Sequence, residues 1–140
     1  MFKFSDKSKA RMEGVDPRLI EVANLALTIS PIDFGIPADG GVRTAARQFE
    51  LFQQKSSERD GYDKLSYHQT GKALDFYAYV FGRASWQEEH LCVVAAAHLQ
   101  AASMLGHKIE WGGFWQHRNP KLLNGIPYGW DMAHIQLMED

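Results

Sequence analysis

The sequence is short of cysteine, of net charge and of long apolar runs, and each shortage removes a class of protein. Its single cysteine, Cys92, has no partner for an intramolecular disulfide, so folding does not depend on an oxidising compartment. Cys92 lies in the apolar helical run "HLCVVAAAHL" and reads as a small core residue rather than a nucleophile. Fifteen basic against seventeen acidic side chains leave a net charge of -2, which excludes a general nucleic-acid binder. The one local excess is N-terminal, where Lys3, Lys7, Lys9 and Arg11 face only Asp6. Residues 1–14 therefore read as a solvated, poorly ordered basic end, with weak contact to an anionic surface as the sharper alternative. No apolar run is long enough to span a bilayer, and "MFKFSDKSKARMEGV" lacks the apolar stretch of a signal peptide. The protein is thus expected to be made and kept in the cytoplasm, with no stable membrane association. Repeats, low-complexity tracts and linkers are missing too. With 140 residues, 45% of them hydrophobic, the chain reads as one globular domain over residues 1–140, expected to act as a monomer.

Local signals divide the chain into helices and short strands. "DPRLIEVANLALTIS" opens with Asp16 as N-cap and Pro17 at the first helical position. "TAARQFELFQQK" reads as a second helix capped by Thr44. Between them, "PIDFGIPADGGVR" is too broken by proline and glycine for more than a short strand and a turn. In "SWQEEHLCVVAAAHLQAASMLG" Ser85 and Glu88 form a capping-box pattern and Gly106 supplies a stop. Leu91, Val94, Ala95, His98, Ala101, Ala102 and Leu105 follow helical spacing and should face a core. "ALDFYAYV", "KIEWG" and "AHIQL" read as strands, the last two joined by the long loop "GGFWQHRNPKLLNGIPYGW". Helices without regular βαβ alternation predict an α+β domain with helices packed on a small antiparallel sheet.

Chemistry concentrates in "SYHQTGKALDF" and "WDMAHIQL". The pleat of "ALDFYAYV" puts Leu74, Phe76, Ala78 and Val80 on a core face and Asp75, Tyr77 and Tyr79 on a cleft face. His68 reaches back from the preceding loop, where Gly71 permits a sharp turn or a close backbone approach. His134 and Gln136 share one face of the last strand, and Asp131 falls on the turn that enters it. Two histidines and one carboxylate are a ligand set for catalytic zinc, leaving a position for water. A further carboxylate, Asp131, could take that water's proton. On spacing alone the opposite reading stays open: His68 and His134 as capped or surface histidines and Asp75 as a strand-edge charge.

"SYHQTGKALD" resembles the S-x-H-x-x-G-x-A-x-D motif of the zinc peptidases grouped with D-alanyl-D-alanine carboxypeptidases. "DMAH" is similar to that family's second motif, and "GVRT" to the segment bearing its substrate-binding arginine. Order, spacing and chain length most resemble phage endolysins that cleave the L-alanyl–D-glutamate bond of peptidoglycan stem peptides. The resemblance implies the hedgehog/DD-carboxypeptidase-like zinc peptidase fold, with Zn2+ held by His68, Asp75 and His134. It implies Asp131 as general base and then proton donor to the leaving amine. Arg43 would stabilise the oxyanion or clamp a substrate carboxylate, and Ser66 would add a hydrogen bond near the site. Release from the host cytoplasm to the wall would go through holin-made lesions. One departure stands out: where relatives often carry an acidic residue in G-G-D-W, this chain has "GGFW", with Phe114.

Other polar and aromatic residues support rival or neutral readings. Glu110 with Asp131 could form a glycosidase carboxylate pair, although on a strand Glu110 reads better as an outward charge or a partner behind the ligands. His98 reads as a satisfied core histidine, and His90, His107 and His117 as surface residues. Trp111, Trp115 and Trp130 could wall a cleft or simply pack. The alternatives in function are a D-alanyl-D-alanine carboxypeptidase, a glycosidase, or a zinc-stabilised wall-binding module without catalysis.

Overall fold

In a computed structural model, residues 2–116, 129 and 131–139 are described, and the statements below concern these. The broad apolar stripes of α2 (Pro17–Ile29) and α4 (Glu88–Leu105) bury against each other. Leu19, Val22, Ala23 and Ala26 meet Val94, Ala95 and Ala101 in the core, all of them 0% exposed. Asp16 caps α2 by accepting from the Arg18 amide, and Pro17 begins it. α4 ends at Gly106 with φ 77°, where a left-handed residue closes the helix.

The remaining helices are α1 (Asp6–Arg11) and α3 (Ala45–Gln53), the latter capped by Thr44 as its sequence indicates. The strands are β1 (Asp33–Gly35), β2 (Ala73–Asp75), β3 (Tyr77–Val80), β4 (Arg83–Ser85), β5 (Ile109–Trp111) and β6 (His134–Leu137). They form two antiparallel three-stranded sheets, ordered β1-β3-β4 and β2-β6-β5. The fold class is α+β, as expected, but with two small sheets in place of one.

The difference arises inside "ALDFYAYV", which is one strand by pattern and two by pairing. Asp75 ends the pairing with β6 opposite His134, and its amide donates to Gly40 O at 2.8 Å. The Phe76 amide donates to Ala133 O at 2.9 Å, and from Tyr77 onward the chain pairs with β1 instead. The alternation survives the break: Leu74, Phe76 and Ala78 are all 0% exposed. Tyr77 and Tyr79 depart from the expected cleft face. Tyr77 packs on Trp86, and Tyr79 caps its own hairpin through Gly82 O.

Three further local expectations are corrected. The basic N-terminal stretch forms α1, whose Ser8 hydroxyl accepts from the Ile36 amide while Phe4 packs on Phe34; exposed lysines conceal this buried side. Ser85 belongs to β4, an unforeseen strand, and bonds His90, so α4 starts after Gln87 and has no side-chain cap. Cys92 is exposed, because the buried stripe of α4 runs through Leu91, Val94 and Ala95 and leaves it outside. The last two strands are β5 and β6 as read, whereas most of the loop between them, residues 117–128, and Trp130 and His117 lie outside the described residues.

Candidate metal centre

His68, Asp75 and His134 come from three elements that meet at one end of the β2-β6-β5 sheet. Asp75 and His134 are directly paired across β2 and β6, so the sheet register sets their separation. His68 sits in a 3-10 turn, Tyr67–Thr70, that delivers the chain into β2. Ser66 caps this turn: its hydroxyl accepts from the His68 amide at 3.2 Å, and Gln69 Oε1 accepts from the Ser66 amide. Gly71 closes it with φ 74°, and a Cβ there would strike the Gly14 carbonyl. Both predicted uses of this glycine, the turn and the close approach, are present together.

The ring nitrogens can be assigned from their outer partners. His68 Nδ1 donates to Gly41 O at 2.9 Å, leaving Nε2 as a lone pair directed inward. The Glu110 carboxylate accepts from Gln136 Nε2 at 2.7 Å, which turns Gln136 Oε1 toward His134. His134 Nε2 therefore donates to that oxygen at 2.8 Å and leaves Nδ1 bare. The inward atoms then form a nearly equilateral triangle. His68 Nε2 lies 3.2 Å from His134 Nδ1 and 3.2 Å from Asp75 Oδ1, which is 2.9 Å from His134 Nδ1. Two lone pairs and a carboxylate oxygen at such separations repel unless a cation lies among them, so the group could hold a metal ion.

Electrostatics point the same way. Burial alone would push the Asp75 carboxyl up, but the charge and hydrogen bonding of His68 and His134 hold it well below the usual carboxylate range. Burial likewise pushes His134 down, and Asp75 outweighs it and carries His134 upward. The site favours positive charge beside Asp75, and a proton or a metal ion can supply it. Arg43 occupies the other carboxylate oxygen, with Nη2 at 3.1 Å from Asp75 Oδ2. Its side chain is only 13% exposed and also donates to Asp39 O and Gln48 Oε1, so the pair is an enclosed one rather than a surface salt bridge.

Asp131 stands beside this group without belonging to it. Its Oδ2 is 3.8 Å from His134 Nδ1, and 42% of its side chain remains open to solvent. Enclosure by the cavity and the Asp75 charge push its carboxyl up, against the pull of His134, His68 and Arg43. The turn that carries it is held by β5: Trp111 Nε1 donates to Met132 O at 2.7 Å, and the Asp131 amide donates to Gly112 O at 3.1 Å. A Cβ on Gly112 would collide with the Asp131 carbonyl, so only glycine allows that approach.

Arg43, His68, Asp75, Asp131 and His134 line one cavity of about 550 Å³, together with Ser66, Glu110 and Trp115. Trp115 lies with its ring 5.1 Å from that of His134, whereas Trp111 packs inward. Phe114 is exposed and stacks edge-on against Trp111. Two contributors escape the sequence reading. Gln48 and Gly112 carry no motif of their own, although the double glycine at 112 and 113 is a usable signal; Gln136 is on the His134 face as read, but its role there is not evident from sequence.

Comparison with known proteins places this arrangement among relatives. A family model described as phage L-alanyl-D-glutamate peptidase matches residues 1–138. The L-alanyl-D-glutamate peptidase of Escherichia phage T5 is 36% identical over 139 residues, which is 98% of each chain. The crystal structure of the Serratia marcescens L-Ala D-Glu endopeptidase ChiX superposes with a TM-score of 0.77 at 32% identity, covering 98% of this chain and 90% of that one.

Proposed function

Because the chain belongs to the phage L-alanyl-D-glutamate peptidase family, we propose that it is a zinc-dependent endolysin cutting the L-alanyl–D-glutamate bond of peptidoglycan stem peptides. The observation that carries the zinc reading is the triangle of inward atoms. Tetrahedral zinc with bonds of about 2.1 Å would need ligand atoms about 3.4 Å apart. The separations of 2.9–3.2 Å come close to this, and small side-chain shifts would open the triangle to it. The donor chemistry also fits, with two imidazole nitrogens, each oriented by a carbonyl acceptor, and one carboxylate.

Zinc bound there would polarise the scissile carbonyl and acidify water. The chain's own residues do the rest. Asp131 accepts a proton from the attacking water and returns it to the departing D-glutamyl nitrogen, a role suited to a carboxyl held above its ordinary range. Arg43 commits three of a guanidinium's five N–H groups to Asp39, Gln48 and Asp75. It thereby orients Asp75, and its charge favours the developing oxyanion. Glu110, through Gln136, holds the His134 tautomer and is not the base. Ser66 fixes the turn that presents His68. As a lysin the enzyme would reach the wall from inside the host once the membrane is opened; among the described residues no helix is long and apolar enough to cross it.

Mass spectrometry of purified peptidoglycan, digested with and without a chelator, tests this reading. New C-terminal L-alanine and N-terminal D-glutamate, abolished by chelation and restored by zinc, are expected. Released D-alanine would make the protein a carboxypeptidase, and new reducing sugar ends would make it a glycosidase. Undiminished cleavage in metal-free protein would remove zinc from the mechanism.

A further inference from the structure

One wall of the cavity has no part in holding a metal. It comes from the loop after α3, which contributes Ser56, Ser57, Glu58 and Arg59. Although exposed, this loop is fixed at its backbone. Gln48, fully buried in α3, donates from Nε2 to Ser57 Oγ at 2.9 Å and to Arg59 O at 2.8 Å. Its Oε1 accepts from Arg43 Nη1 at 3.1 Å, so one amide ties the loop to the arginine that orients Asp75. The Arg59 amide donates to Ser57 Oγ, and Asp60 Oδ1 accepts from the amides of Tyr62, Asp63 and Lys64, each at 2.9 Å. The backbone is therefore held on both sides of Arg59, which lines the cavity.

The charge balance of the cavity gives that side chain a purpose. Glu58, Asp75, Glu110 and Asp131 line it with carboxyl groups, and Arg43 is already paired with Asp75. Among the described residues the Arg59 guanidinium meets no acceptor. The substrate of the reading above, on which this inference rests, brings a matching group. Glutamate has two carboxyls; the stem peptide continues through one, and the other remains a carboxylate beside the scissile nitrogen. Entering a cavity lined by carboxylates, that anion needs a cation, and a guanidinium can take it with two parallel hydrogen bonds. We propose that Arg59 binds the free carboxylate of the D-glutamyl residue on the leaving-group side of the scissile bond. Arg59 is thus a specificity residue, and Gln48 a positioning residue that sets its place relative to Arg43.

The test pairs a change in the enzyme with a change in the substrate. Kinetics of the zinc-loaded full chain are measured on an acylated L-alanyl-D-glutamyl peptide and on its counterpart bearing that carboxylate as the amide. For the native enzyme the amide should raise KM roughly tenfold, with kcat changing less, as expected for a charge-assisted bond away from the reacting carbonyl. Arg59→Gln should raise KM on the carboxylate peptide by a similar factor and lose nothing further on the amide peptide. Arg59→Lys should recover part of the loss, and zinc content should be unchanged throughout. An unaltered KM for Arg59→Gln, or losses that multiply when the two changes are combined, would overturn the inference while leaving the proposed activity intact. Failure of the native enzyme on both peptides would overturn the activity and the inference together.

Discussion

Two histidines are buried to a similar degree, and their surroundings give them opposite characters. His98 lies in the core, stacked on Phe76 at 4.8 Å and tilted against Phe34 at 4.7 Å. Its Nδ1 donates to Val94 O, and its Nε2 has no partner among the described residues. Burial therefore lowers its pKa to about 4 and keeps it neutral. His134 is 6% exposed, yet it faces Asp75, and the carboxylate reverses the shift. Burial alone does not make a functional histidine; burial opposite an anion, with the outer nitrogen anchored, does.

The sharpest way to break this comparison is to remove the site histidine. His134→Ala leaves two of the three proposed ligands, which would hold zinc poorly, so metal content and hydrolysis should both fall to background. Elemental analysis and turnover on the same preparation check this. A variant that keeps stoichiometric metal would show that His134 is not a ligand. His98→Leu should keep both metal and turnover, since His98 lies in the core and not at the cavity.

Next in size is the group beside the triangle. Asp131→Asn should retain the metal and lose roughly 10²–10⁴-fold in rate, the usual worth of general acid–base catalysis. The amide fills the same space on the turn held by Trp111 and Gly112 but cannot take a proton. Loss of metal from this variant would make Asp131 a ligand. Full activity would give the role of base to Glu110, despite its commitment to Gln136.

How far the sequence exposes this contrast depends on the range of the interactions involved. Asp16, Thr44 and Gly106 act within one helical turn, and their pattern is sufficient. The proposed ligands are legible because His68 and Asp75 lie close in sequence and His134 shares a short strand with Gln136. Gln48 is not legible: its partners Ser57 and Arg59 lie 9 and 11 residues on, and glutamine on a half-exposed helix looks like surface. The break at Phe76 also escapes, because the side-chain alternation is identical on both sides and only pairing partners change. His98 lies in the core as its spacing indicates, but it is not the satisfied histidine expected, since one ring nitrogen has no partner among the described residues and spacing cannot reveal this.

That unpartnered nitrogen yields the smallest expected effect and the one specific to the core. In the unfolded chain an imidazole takes up a proton below about pH 6.5. Folded His98 does not do so until about pH 4. Between those values the unfolded state binds more protons, so stability is lost as pH falls from about 6.5 to 4 and is level above that window. That separation corresponds to about 3 kcal/mol across the window. His98→Leu removes the titration while keeping a side chain of similar size between Phe34 and Phe76. Denaturant unfolding of metal-free native protein and His98→Leu at pH 7 and pH 4 measures the effect, and comparison of the two cancels the titration they share. The native protein should lose about 3 kcal/mol more than the variant on acidification. An equal loss in both would mean that His98 gains a proton or a water partner inside the fold, and the core histidine would then resemble those of the site.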